Sequence, residues 1–136
     1  MATYIHSKTT LVTIDDAASS ARDLSDDFTE FSIPQVASIA ETTGFAPTSD
    51  FRTRVAGLKD ATFSGSGNLD TATNKSWDVL HDAAGQTRTI LWNLDGSGAP
   101  SITGEFIVES FEVSASFDDV IKFSVSGSLT GALTVV

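Results

Sequence analysis

The sequence predicts a mainly β fold: a β-sandwich or partly closed barrel of roughly six to eight strands with one flanking α-helix, in a single domain over residues 1–136 with a long loop at about 34–57. Three observations predict it. From Phe111 to Phe117, Phe111, Val113, Ala115 and Phe117 alternate with Glu112, Ser114 and Ser116, and after Asp118-Asp119 the alternation resumes with Ile121, Phe123 and Val125 against Lys122, Ser124 and Ser126. Period-two patterning on both sides of a turn pair is the mark of a half-buried β-hairpin. Ala61, Phe63, Gly65, Gly67 and Leu69 alternate in the same way with Thr62, Ser64, Ser66 and Asn68. Serine and threonine together number 35 of 136 residues, a bias toward strands and turns.

Taken in order, Tyr4 to Ile14 reads as a first strand ending at Asp15-Asp16. Residues 15–27 read as irregular, with a short helix start at Ser19 or Ser20 as the alternative, and Phe28 to Ile33 as a short strand. Pro34 removes a backbone donor and opens the long loop, with one helical turn expected at Val36 to Glu41. Thr71 to Ala84 is the expected helix, since Trp77, Leu80, His81 and Ala84 recur at helical spacing and Gly85 supplies a stop. Thr87 to Leu94 is a strand, the segment 95–101 a turn-rich connector, and Phe106 to Val108 the strand that leads into the hairpin.

Composition narrows the function. Against 18 acidic residues stand only 8 basic ones, for a formal charge of −10, so nonspecific DNA binding, which needs clustered cations, is not expected. Cysteine is absent, which removes disulfides and thiolate metal sites. The N-terminus has neither the apolar run nor the basic flank of a signal peptide or membrane anchor, so synthesis in the cytoplasm and no membrane partner are expected.

No enzymatic chemistry is expected. His6 and His81 fall on different elements with no nucleophile motif nearby and read as structural. The pairs Asp15-Asp16, Asp26-Asp27 and Asp118-Asp119 lack the alternating ligands and closing Glu of a calcium loop and read as turns, so no metal or cofactor is expected. The Gly-Ser-Gly triplets at 65–67 and 96–98 lack the following Lys-Ser or Lys-Thr of a phosphate cradle. Trp77 and Trp92 lie in apolar patterns and read as core rather than sugar-stacking residues.

Two segments carry a family resemblance. Arg54, Gly57, Leu58, Lys59 and Asp60 lead into a strand ending at Gly67 and Asp70, and Ser110 to Ala115, Asp118 to Val120, Phe123-Ser124 and Gly131 to Leu133 form the ending. With Thr42, Thr43, Gly44 and Phe45 ahead of the arginines, residues 40–134 resemble the tail tube (major tail) proteins of long-tailed bacteriophages. The resemblance implies a structural virion protein made in the host cytoplasm. It would form six-membered rings stacked into a tail tube through which DNA leaves, and would meet other tail proteins such as the tape measure, the tail terminator and the baseplate or tip. Related readings are a head-decoration or secretion-type effector-conduit protein of similar fold; a carbohydrate-binding β-sandwich is the non-viral alternative.

On that resemblance the hydroxyl faces, Thr62, Ser64 and Ser66 with Glu112, Ser114, Ser116, Lys122, Ser124 and Ser126, are expected to line the lumen, with Lys122 opposite Glu112 or Ser116. Short hydroxyls suit a conduit wall because they satisfy water without long side chains, and an acidic balance keeps DNA from adhering. Thr42, Thr43, Gly44, Phe45, Arg52 and Arg54 are the expected subunit-interface residues. Phe111, Phe123 and Trp77 are expected in the core.

Overall fold

In a computed structural model, which describes residues 3–45, 48 and 50–136, nine strands and one short helix surround one apolar core. Met1, Ala2, Ala46, Pro47 and Ser49, part of the expected N-terminal segment and long loop, lie outside the described residues. The strands are β1 (Leu11–Asp15), β2 (Ala21–Asp23), β3 (Phe28–Ser32), β4 (Gln35–Glu41), β5 (Arg54–Asn68), β6 (Thr87–Asn93), β7 (Ser101–Ser114), β8 (Lys122–Leu129) and β9 (Thr134–Val135); the helix α1 is Ser76–Leu80. Every pairing is antiparallel, in the order β2-β1-β6-β7-β8-β5-β3, with β4 continuing beside β5 and β9 beside β7. The open sheet curls so that β3, at one end, comes against β6: Phe31 of β3 lies edge-on to Trp92 of β6 with ring centroids 5.2 Å apart.

The period-two patterns decide which face turns inward. On β5, Ala61, Phe63, Gly65 and Gly67 are buried, and on β8 Phe123, Val125 and Gly127. They meet Phe106 and Val108 of β7, Ile90 of β6, and Val12 and Ile14 of β1. The first Gly-Ser-Gly triplet sits here for reasons of packing. A Cβ on Gly65 would stand 2.6 Å from the Phe28 ring, and one on Gly67 only 1.8 Å from the Asp27 carbonyl oxygen, so these glycines let β3 lie close over β5.

Several elements depart from the sequence expectation. The helix covers only Ser76–Leu80 instead of Thr71 to Ala84. Asp70 accepts a hydrogen bond from the Ala72 amide, and Asn74 adopts φ 64° while its amide donates to Asp78, so the preceding residues satisfy their backbone locally instead of extending the helix. The apolar stripe is one residue out of phase with the expected one. Ser76, Val79, Leu80 and Ala83 face inward, and Ser76 belongs there because its amide donates to the buried Asp27 carboxylate at 2.9 Å and its hydroxyl accepts from the Asp70 amide. Trp77 is therefore 42% exposed rather than core, stacked on His81. Of the other expected core aromatics Phe123 is buried and Phe111 partly buried.

The N-terminal expectation shifts as well. The first strand begins at Leu11 behind a single 3-10 turn at Ser7–Thr9, and β2 occupies part of the stretch read as irregular. The largest difference lies at 34–57. No helical turn forms at Val36 to Glu41; β4 pairs there with the first half of β5, and β3 and β4 together follow β5 as one strand interrupted at Ile33-Pro34. What reads as a long loop is thus mostly a two-stranded arm. Its strands extend for roughly 23 Å beyond the pairing of β5 with β8, which starts at Thr62.

Candidate functional site

Eight of the nine residues expected at the lumen share one face of three adjacent strands. Thr62, Ser64 and Ser66 on β5, Lys122, Ser124 and Ser126 on β8, and Glu112 and Ser114 on β7 all point away from the core, opposite Phe63, Phe123, Val125 and Phe111. Ser116 is not among them. The hairpin strands end at Ser114 and Lys122, so Ser116 lies in the connecting loop, where its carbonyl accepts from the Asp119 amide. Asp118 takes φ 67° in this turn, as the Asp pair suggests. Phe117, expected on the greasy face, stands in the same loop 94% exposed.

Register sets the hydroxyls in transverse rows. Ser32 of β3 pairs with Ser64, Ser64 with Ser126, and Ser126 with Ser110 of β7, a row of serines across four strands. Ser32 and Ser64 are hydrogen-bonded at 3.0 Å and Ser110 and Ser126 at 2.8 Å, so the hydroxyls satisfy one another across the strands and the surface between them stays low. The next row runs Glu30, Ser66, Ser124, Glu112, with the Ser66 hydroxyl donating to Glu30 at 3.4 Å. Glu109 accepts from Ser128, and Glu105 from Thr89 at 2.5 Å. Each carboxylate except Glu112 thus has a hydroxyl donor beside it. Lys122 stands across from Ser114 and Asn68, not Glu112 or Ser116, and its ammonium pairs with Asp119 at 3.3 Å. The face is therefore hydroxyl-rich and acidic, its lysine held at the border.

Glu30, Ser32, Glu105, Glu109 and Ser110 belong to this surface but are not legible as part of it from the pattern alone. Both strands that carry them have register shifts, between Phe28 and Glu30 on β3 and between Val108 and Ser110 on β7. A bulge breaks strict alternation, so the run of hydroxyls and acids continues while its phase does not.

The expected interface residues gather at the tip of the arm. The Thr42 amide donates to the Thr53 carbonyl at 2.7 Å, and the Thr53 amide to the Thr43 hydroxyl at 2.7 Å, closing the ends of the two strands. Gly44 and Phe45 follow, Phe45 fully exposed; Arg52 pairs with Glu41 at 3.5 Å, and Arg54 stands across from Glu41 in the ladder. Along the arm Val36, Ile39, Val55 and Leu58 are all more than half exposed. A two-stranded ribbon with apolar residues in water is marginal by itself.

The remaining candidate groups have structural partners. His6 Nδ1 accepts from the Lys8 amide, and His81 Nδ1 lies 2.8 Å from the Trp77 carbonyl at the end of α1. Asp16 accepts from the Ala18 and Ser20 amides and from Arg22. The Ser20 amide first, and then Arg22, hold its carboxyl below the usual carboxylate range. Nearby, burial pushes the Asp15 carboxyl up. The buried Arg88, which the sequence did not mark, donates to the Asp15 and Val79 carbonyls and reaches Asp82 at 3.4 Å, tying α1 to β1. Among the described residues no group of three or more His, Asp or Glu side chains is arranged to hold a metal.

Comparison with known proteins bears on the whole chain. No curated protein sequence matches it. Among solved structures, it superposes on a chain from the tail of an empty gene transfer agent particle, refined helically with C6 symmetry, at TM-score 0.79 and 18% identity, covering 98% of this chain and 99% of that one. The SPP1 tail tube matches at TM-score 0.70 and 15% identity over 94% of this chain and 77% of that one. The baseplate of the anti-feeding prophage, symmetrised six-fold, matches at TM-score 0.70 and 12% identity over 99% and 98%. At these identities the likeness is one of fold, a mostly β open antiparallel sheet. The family model for phage tail tube proteins matches residues 5–135, nearly the whole chain, and this protein therefore belongs to the phage tail tube protein family, a family of structural proteins rather than enzymes.

Proposed function

We propose that six copies form a ring, that rings stack into the tail tube of a virion, and that the four-strand hydroxyl face lines the channel through which DNA is ejected. The observation that carries this reading is the transverse row Ser32, Ser64, Ser126 and Ser110, flanked by Glu30 and Glu112. A polyanion passing such a wall meets short hydroxyls already bonded to one another and carboxylates that repel it, so it slides without adhering. Six copies carry a formal charge of −60, which favours a wide channel and solvent-facing acids over a closely packed acidic centre. The six-fold symmetry of the matched gene transfer agent tail supports the copy number. Thr42, Thr43, Gly44, Phe45, Arg52 and Arg54, at the arm tip, serve as subunit-interface residues. The ends of the tube meet the tape measure, terminator and baseplate or tip proteins, after synthesis in the host cytoplasm.

The test is to make the wall adhesive without touching the core. Replacing Ser114, Ser124 and Ser126 together with Lys, all on the outer face, should leave folding and tail assembly intact while slowing DNA ejection and making it strongly salt-dependent. Particles that assemble with all three lysines and eject DNA at the unaltered rate and salt dependence would remove this face from the channel.

A further inference from the structure

Away from the serine rows, the outer face of β1, β6 and β7 carries a second polar row. Ile14 pairs with Ile90, so Asp15, the next residue of β1, comes beside Thr89 of β6, and Thr89 pairs in turn with Glu105 of β7. Ile14, Ile90 and Phe106 face the core, which puts the three polar side chains together on the opposite face. A threonine thus stands between two carboxylates on adjacent strands. Its hydroxyl carries one proton, which it gives to Glu105 at 2.5 Å, and Asp15 draws on the same hydroxyl. Asp15, Asp16, Asp82, Arg88, Thr89 and Glu105 line one cavity of about 550 Å³. The other charged groups there are already engaged. Asp16 accepts from the Ala18 and Ser20 amides and from Arg22 at 2.9 Å. Arg88, buried beneath, spends its guanidinium on the Asp15 and Val79 carbonyls and on Asp82. No lysine lines the cavity among the described residues.

We propose that Asp15, Thr89 and Glu105 form a proton-binding unit that fastens β1 to β6 and β7 in mild acid and loosens that join once both carboxylates are ionised. This goes beyond the tube reading and does not depend on it. One proton taken from solvent completes a chain in a single direction: the Asp15 carboxyl donates to the Thr89 hydroxyl oxygen, and the Thr89 hydroxyl donates to the Glu105 carboxylate. Without that proton two like charges share one donor, and one of them faces it unsatisfied. Burial acts in the same sense. It pushes the Asp15 carboxyl up from 3.8, opposed by the Thr89 hydroxyl and Arg88 and reinforced by the charges of Glu105 and Asp16. Since the folded value lies above the unfolded one, the stability this unit contributes is fully present below pH 3.8 and is lost as pH rises through the folded midpoint. Asp16 and Asp119, whose carboxyls are held low, act with the opposite sign: their contribution is present above pH 3.8 and is lost as pH falls. Because Arg88 grips the Asp15 carbonyl together with that of Val79, the join between β1 and α1 follows the state of the unit.

The experiment is a carbon-13 carboxyl titration of Asp15 by NMR on the isolated full chain, with thermal melts of the same samples from acid to neutral pH. Asp15 should titrate above 3.8. Thr89→Val, which removes the shared donor, should move that midpoint further up, and Glu105→Gln, which removes the competing charge, should move it down. Asp15→Asn, a permanent stand-in for the protonated carboxyl, should melt with the unaltered protein at pH 3.8 and above it near neutrality. An Asp15 midpoint at or below 3.8 overturns the proposal, and so does a midpoint that either Thr89→Val or Glu105→Gln leaves in place. A melting difference between Asp15→Asn and the unaltered protein that is the same at every pH would show that the residue acts without its proton, which also overturns it.

Discussion

Replacing Phe63 with alanine should lower the stability of the isolated protein by about 3–5 kcal/mol in urea denaturation, a large share of what a domain of this size possesses. Phe63 is fully buried where the curled sheet closes on itself: its ring meets Phe106 edge-on at 5.3 Å and stacks with Phe31 at 6.2 Å. The site cannot collapse easily, because the two aromatics around Phe63, Phe31 and Phe106, come from different strands, β3 and β7. Trp77→Ala should cost much less, since that ring is 42% exposed, although Trp is the larger side chain. If the two substitutions cost the same, the assignment of the inner face is wrong.

The second large effect is expected from the smallest change. Gly67→Ala should cost about 3 kcal/mol or abolish folding, because its Cβ would be placed 1.8 Å from the Asp27 carbonyl oxygen and 2.8 Å from the Phe28 Cα. Relief requires the β3 backbone to move off β5, and with it the Asn68 amide's bond to Asp27 and the Asp27 carboxylate that receives the Ser76 amide. Gly44→Ala, at the arm tip with no atom of the described residues within 4 Å of the added Cβ, is the control and should leave the melting temperature unchanged or slightly higher. A Gly67→Ala protein that melts with the unaltered one would show that β3 does not pack on β5 as described.

What was legible in the sequence was whatever strict alternation could carry. Phe63, Gly65 and Gly67 against Thr62, Ser64 and Ser66, and Phe123 and Val125 against Lys122, Ser124 and Ser126, gave the face of each strand correctly, and with it most of the hydroxyl surface. The phase was lost where a local interaction overrides side-chain polarity. Ser76 is polar yet faces inward, because a buried Asp27 forty-nine residues away takes its amide; a reading that seeks apolar residues starts the helix stripe on Trp77 instead. Glu109 and Ser110 sit at a bulge, which is a property of the pairing and invisible in either strand alone. The arm was misread for a related reason. Gln35–Glu41 is exposed along its whole length, so it lacks the alternation that only a one-sided core imposes.

The position of the serine row in the assembled particle decides most directly whether this face lines the channel. A helical reconstruction of the tail, or of tubes grown from the purified protein, should show six subunits per ring with Ser32, Ser64, Ser126 and Ser110 facing the channel and the arm tip at a subunit interface. A reconstruction in which that row faces the outside of the tube, or is buried between subunits, would contradict it.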